Sequence, residues 1–165
     1  MDKIIIADAG PLIALAGVDQ LSLLSDLFST VWITTSVKEE CLAKSGKDSN
    51  NIAKAIKMGW LKEKEVIVSP NLYSNSLGDG EISSIEWAKK LTSKDCSCLI
   101  ILDDKLARKY AFEAKLNFIG TVRLLDIAEK KKLIESAELL IQQISLNGYR
   151  ISVDILQQVR LQYSN

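Results

Sequence analysis

The sequence predicts an α/β fold in which a central parallel sheet is flanked by helices on both faces. Three observations carry this expectation. Short apolar runs without alternation, Ile4-Ile5-Ile6-Ala7 and Leu99-Ile100-Ile101-Leu102, read as strands buried on both sides. Helical patterns fall between successive strand candidates, as parallel β-α-β connections require. The chain has 165 residues, 47% hydrophobic and 25% charged, which suits one well-formed core and a single domain over 1–165.

Taken in order, the first strand is expected over 3–8 and ends on Asp8. Ala9-Gly10-Pro11 breaks it, and Pro11 suits the start of a helix over 11–17. A helix over 20–28 precedes a β-branched strand over 31–34. Ser36 with Glu39 three residues later forms a capping box for a helix over 36–45. Ala43 to Asn51, rich in Lys, Ser, Gly, Asp and Asn, reads as an exposed connection into a helix over 49–59. Val66-Ile67-Val68 is the third strand candidate, and Ser69 to Gly80, with Pro70 and two glycines, a long surface turn. Asp79 is placed to cap a helix over 79–92. The strand over 98–102 ends on Asp103-Asp104, and Asp104 is placed to cap a helix over 104–115. A short strand over 117–119 precedes helices over 121–131, 134–146 and 152–162. The last two carry apolar stripes suited to core or dimer contacts.

Composition narrows the chemistry. There are 21 basic and 21 acidic residues, so net charge is zero and no broadly basic nucleic-acid binder is indicated. No apolar run reaches membrane-spanning length and the N-terminus lacks a signal-peptide layout, so a cytoplasmic location is expected. Cys41, Cys96 and Cys98 have neither disulfide nor zinc spacing and read as core or loop residues. The chain contains no histidine, which removes Ser-His-Asp and Cys-His catalysis and nearly all mixed-ligand zinc sites. Carboxylates remain, and their oxygens suit magnesium or manganese.

The candidate carboxylates recur in similar places. Asp8 and the pair Asp103-Asp104 stand at the carboxyl ends of buried strands, where open α/β sheets place ligands. Glu39 has a capping job, which leaves its neighbour Glu40 as the better candidate for chemistry. Glu81 lies in the first turn of its helix, flanked by Gly78 and Gly80. Each has an ordinary alternative: Asp8 and Asp104 as caps, Glu81 as a first-turn acid. Acids converging on one crevice raise each other's pKa unless a cation neutralises them. A divalent metal does so and activates water, so hydrolysis of a phosphodiester is the expected reaction. Lys105, Arg108 and Lys109 could meet a nucleic-acid backbone along one helix, or form a solvated face.

Ile6-Ala7-Asp8-Ala9-Gly10-Pro11, Val37-Lys38-Glu39-Glu40, Leu77-Gly78-Asp79-Gly80-Glu81 and Leu102-Asp103-Asp104 resemble the successive acidic motifs of PIN-domain proteins. The subgroup that they resemble is related to VapC toxins of prokaryotic toxin–antitoxin modules. Gly120-Thr121 and Asn147-Gly148-Tyr149-Arg150-Ile151-Ser152 resemble its carboxyl-terminal portion. The resemblance implies a three-layer α/β/α fold and a magnesium- or manganese-dependent endoribonuclease. It implies an acidic site of Asp8, Glu40, Glu81 and one of Asp103 or Asp104, with Asp8, Glu40, Asp103 and Asp104 as the metal-ligand candidates. It also implies a homodimer and a small antitoxin partner. Many members have Ser or Thr two residues after the first acid, where this chain has Gly10. Many also place the third acid as an aspartate further along a helix than Glu81.

Other strand-end acidic sites fit less well. Gly10 stands where haloacid-dehalogenase-like phosphatases want a second aspartate, no lysine suits a receiver domain, and the first turn lacks the Gly-rich dinucleotide signature. A PIN-like scaffold with weak or no nuclease activity is the alternative of a different kind.

Overall fold

The computed structural model describes residues 3–69 and 73–151. Its strands are β1 (Ile4–Ala7), β2 (Val31–Thr34), β3 (Leu61–Lys64), β4 (Cys98–Ile101) and β5 (Phe118–Ile119). They form one sheet in the order β3-β2-β1-β4-β5, with every neighbouring pair parallel. The helices are α1 (Ala9–Gly17), α2 (Leu23–Phe28), α3 (Thr35–Leu42), α4 (Lys47–Met58), α5 (Asp79–Ser93), α6 (Lys105–Glu113), α7 (Thr121–Lys130) and α8 (Ala137–Leu146).

Side chains alternate across a strand, and two cores result. Ile5, Ala7, Ile33 and Ile101 face one side, against Leu12, Val37, Ile52, Leu124 and Ile141 from α1, α3, α4, α7 and α8. Ile6, Ile100 and Leu102 face the other, against Ile85 and Ala88 of α5 and Ala107 and Ala111 of α6. This is the three-layer α/β/α arrangement expected, and it explains why the strands lack alternation: both faces are dry.

Strand order reverses at β1, which has β2 on one side and β4 on the other. The crevice between β1 and β4 is the switch point of the sheet, the place where such folds bind ligands. Ala7 pairs with Ile101, and the Asp8 amide donates to the Ile101 carbonyl at 3.0 Å. The strands therefore deliver Asp8 and Asp103 to the same end of the same crevice.

Several sequence expectations require correction. The third strand is 61–64, not 66–68. Only Leu61 is buried in it, and Lys62, Glu63 and Lys64 are exposed at the sheet edge, so charge masks the strand. Ile67, which suggested a strand by its hydrophobicity, is 83% exposed. The connection after α3 is shorter than 43–51, because α4 begins at Lys47, helped by Ser49 Oγ donating to the Gly46 carbonyl at 3.1 Å. Thr34, not Ser36, caps α3: its side chain accepts from the Val37 amide at 3.2 Å, so the Ser36–Glu39 box is not used. Gly78, not Asp79, occupies the cap position of α5. Helix α1 starts at Ala9, two residues before Pro11. The helix expected over 152–162 lies outside the described residues.

Candidate functional site

Asp8, Glu40, Glu81, Asp103 and Asp104 all line one cavity at the carboxyl end of the sheet. Glu39 does not line it; its neighbour Glu40 does. Each side chain reaches the cavity for a local reason.

Asp8 occupies the cap position of α1 but makes no side-chain cap bond, so capping does not account for it. The residue is buried, and its Oδ1 is the one buried side-chain oxygen or nitrogen among the described residues without a hydrogen-bond partner. Burial pushes its carboxyl up to about 8, and the charges of Glu81, Glu40 and Asp103 push the same way. The Ala9 amide opposes them. An acid held this way wants either a proton or a cation.

Glu40 projects from α3, whose start is tied to α5. Thr34 Oγ1 and Ser83 Oγ are 2.7 Å apart, and Ser83 and Ser84 both donate to the Gly80 carbonyl, at 3.0 and 2.8 Å. Gly80 lets the helices close. A Cβ there would lie 3.1 Å from Glu40 Oε2, 3.1 Å from Val37 Cγ2 and 3.6 Å from Asp8 Oδ1. Glu40 and the orphaned oxygen of Asp8 thus flank one point.

Glu81, next to Gly80 in the first turn of α5, accepts from the Gly78 amide at 3.0 Å. Its carboxyl is raised, first by burial and then by Asp104 and Glu40, while the Gly78 amide lowers it. It therefore has a structural job at the helix start as well as a place on the cavity wall.

The adjacent aspartates divide their roles. Asp104 Oδ2 accepts from the Ala107 amide at 2.9 Å and caps α6. Asp103 faces the cavity and is held from three sides. The Thr121 amide donates to its Oδ1 at 2.7 Å, and the Thr121 and Tyr149 hydroxyls donate to its Oδ2, each at 2.5 Å. Thr121 and Tyr149 are the residues whose part in the site sequence reasoning did not find. Gly120-Thr121 and Gly148-Tyr149 stood out as motifs, but nothing local shows that both reach Asp103.

Cations and aromatics complete the wall. Lys105, Arg108, Lys109, Arg123 and Arg150 line the cavity with Phe112 and Phe118. The Arg108 guanidinium lies 5.2 Å from the centre of the Phe118 ring, and Phe112 is 75% exposed. Arg123 pairs with Asp126 at 3.1 Å.

The donor set suits a hard divalent cation: all oxygen, acidic, with a buried carboxylate oxygen lacking a partner. Among the described residues, no three His, Cys, Asp or Glu side chains form a ready-made metal cluster. Magnesium does not require one, since it keeps waters and takes one or two carboxylates beside phosphate oxygens. Asp8 and Glu40 fit that pattern.

A family model described as a PIN domain matches residues 4–165. No curated protein matches the chain. Among the described residues, no helix is long and apolar enough to cross a membrane.

Proposed function

The chain belongs to the PIN-domain family, whose fold is of the nuclease type, and on that footing we propose that it is a metal-dependent endoribonuclease. The observation that carries the reading is the buried, unpartnered Asp8 oxygen at the sheet's switch point, facing Glu40 and ringed by further acids. Repulsion among them has no structural benefit, whereas a cation turns the cluster into a binding site.

Asp8 and Glu40 would hold magnesium or manganese, with Asp103 and Asp104 as further ligands on the same wall and Glu81 beside them. When bound, such an ion neutralises the acids, polarises a phosphoryl oxygen and acidifies water. The chain's own residues supply the rest. Lys105, Arg108 and Lys109 are placed to meet backbone phosphates, and exposed Phe112 offers a face on which a base can stack. Acids at one end and cations along α6 suit a strand that enters over α6 and brings a phosphate to Asp8.

Manganese titration of the purified protein tests the site. Binding by the parent that is lost in Asp8→Asn is the expected result. Equal binding by both would remove Asp8 from the site.

The role as toxin of a toxin–antitoxin module, a homodimer with a small antitoxin partner in the cytoplasm, rests on the motif resemblance. Induced expression in a bacterial host should then arrest growth, and Asp8→Asn should relieve the arrest. A PIN-like scaffold without catalysis is the second reading. It is favoured by one observation, the zero net charge, which supplies no broadly basic surface for a nucleic acid.

A further inference from the structure

We propose that Tyr149 is a positioning residue for the acidic site, and that Gly10 is the opening through which its hydroxyl reaches Asp103. The inference rests on the acidic-site reading for its link to metal, but its geometry stands independently.

Tyr149 follows α8, just after Gly148, whose φ of +93° is a left-handed turn that favours glycine. The turn sends the tyrosine back over the start of α1. Its ring packs at the edge of the core that covers α1, α7 and α8. Its hydroxyl lies 2.5 Å from Asp103 Oδ2. A Cβ added at Gly10 would stand 2.8 Å from that hydroxyl oxygen, nearer than real Cβ atoms come, but 3.5 and 3.6 Å from the nearest ring carbons. The missing side chain at position 10 and the tyrosine hydroxyl therefore fit together, and only the hydroxyl is in conflict with a larger residue.

Asp103 needs such a partner. With both oxygens held by Thr121 and Tyr149, it has one orientation beside Asp8, whose own Oδ1 is left unpartnered. One acid is fixed by protein donors and the other is left open for an incoming group. Outer partners of this kind orient metal-binding carboxylates, and removing one typically costs 10–100-fold in metal affinity or activity. Residues 148–151 also line the cavity, so the segment after α8 forms part of the wall of the site.

Two measurements test the proposal. The first is a stability cycle on the metal-free protein with Gly10→Ala, Tyr149→Phe and the double variant. Gly10→Ala should lower the Tm by roughly 2–8 °C in the parent and by less than about 1 °C when Tyr149 is Phe, because ring contacts beyond 3.4 Å are ordinary. An equal cost in both backgrounds would overturn the coupling between Gly10 and the hydroxyl. The second is manganese affinity. Tyr149→Phe should bind about tenfold more weakly than the parent while melting within a few degrees of it. Parent-like affinity in Tyr149→Phe, with binding lost in Asp8→Asn, would overturn the positioning role and leave the acidic site standing. If the parent itself binds no manganese, the metal reading fails, and the stability cycle alone decides whether Gly10 and Tyr149 are coupled.

Discussion

The proposed chemistry turns on one side chain, Asp8. Its carboxyl is raised from 3.8 to about 8, first by burial and then by Glu81, with Glu40 and Asp103 adding to the effect. The folded state therefore holds a proton that the unfolded chain has released, and the stability it confers is complete below about pH 4. It is lost as pH rises toward about 8. Metal-free protein should melt progressively lower between about pH 4 and pH 8, and Asp8→Asn should flatten that slope; Tm measured across pH checks both. A slope unchanged in Asp8→Asn would assign the titration elsewhere. The position of Asp8 at a strand end was legible in the sequence, but whether it capped the helix was not. Its missing cap bond decides that, and such a bond depends on rotamer and backbone geometry rather than on residue type. The partners of Asp103 were harder still to see. Thr121 is 18 residues away and Tyr149 is 46, so only the fold brings them together.

At the level of elements, the site depends on how α3 and α5 meet. Thr34 caps α3 and also touches Ser83 of α5, so one side chain sets both the helix start and the helix contact. Thr34→Ala should cost about 1–2 kcal/mol, measurable by urea denaturation, because a cap and a buried hydrogen bond are lost together. Gly80→Ala should be worse for metal than for folding. The added Cβ, at 3.1 Å from both Glu40 Oε2 and fully buried Val37, needs a few tenths of an ångström of give, and the flexible Glu40 carboxylate is the group that shifts, away from its place beside Asp8. Weaker manganese binding in Gly80→Ala is the expected result of a titration, and unchanged binding would show that the added Cβ leaves Glu40 beside Asp8. Buried strands and amphipathic helices were readable because each has a period and a composition of its own. β3 was not, since its Lys-Glu-Lys face answers to solvent at the sheet edge and only Leu61 answers to the core. The Ser36–Glu39 pattern misled for a related reason: the chain turns into α3 two residues earlier, and Thr34 reaches the open amide first.

For the molecule as a whole, zero net charge conceals a division of charge within one cavity. The acids gather where β1 and β4 part, and Lys105, Arg108 and Lys109 lie beside them on and around α6. RNA affinity should therefore depend on this face. Replacing Lys105 and Lys109 together with Ala should weaken RNA binding and reduce its salt slope by about 1–2, since each phosphate contact contributes roughly one unit. Binding measured across salt concentrations checks this, and an unchanged slope would place the RNA elsewhere. The parallel fold, its three layers and the candidate acids were readable from local pattern, because buried strands ending on acids carry their own signature. The charge division was legible only in part: Lys105, Arg108 and Lys109 stood out along one helix, but their sharing a cavity with all the acids exists only after folding. The most direct measurement is cleavage of a single-stranded RNA by the parent and by Asp8→Asn, purified side by side, with and without manganese. Metal-dependent catalysis at Asp8 requires cleavage by the parent only when metal is present, and none by the variant under any condition. Equal cleavage by both proteins, or none by the parent with saturating manganese, would contradict it.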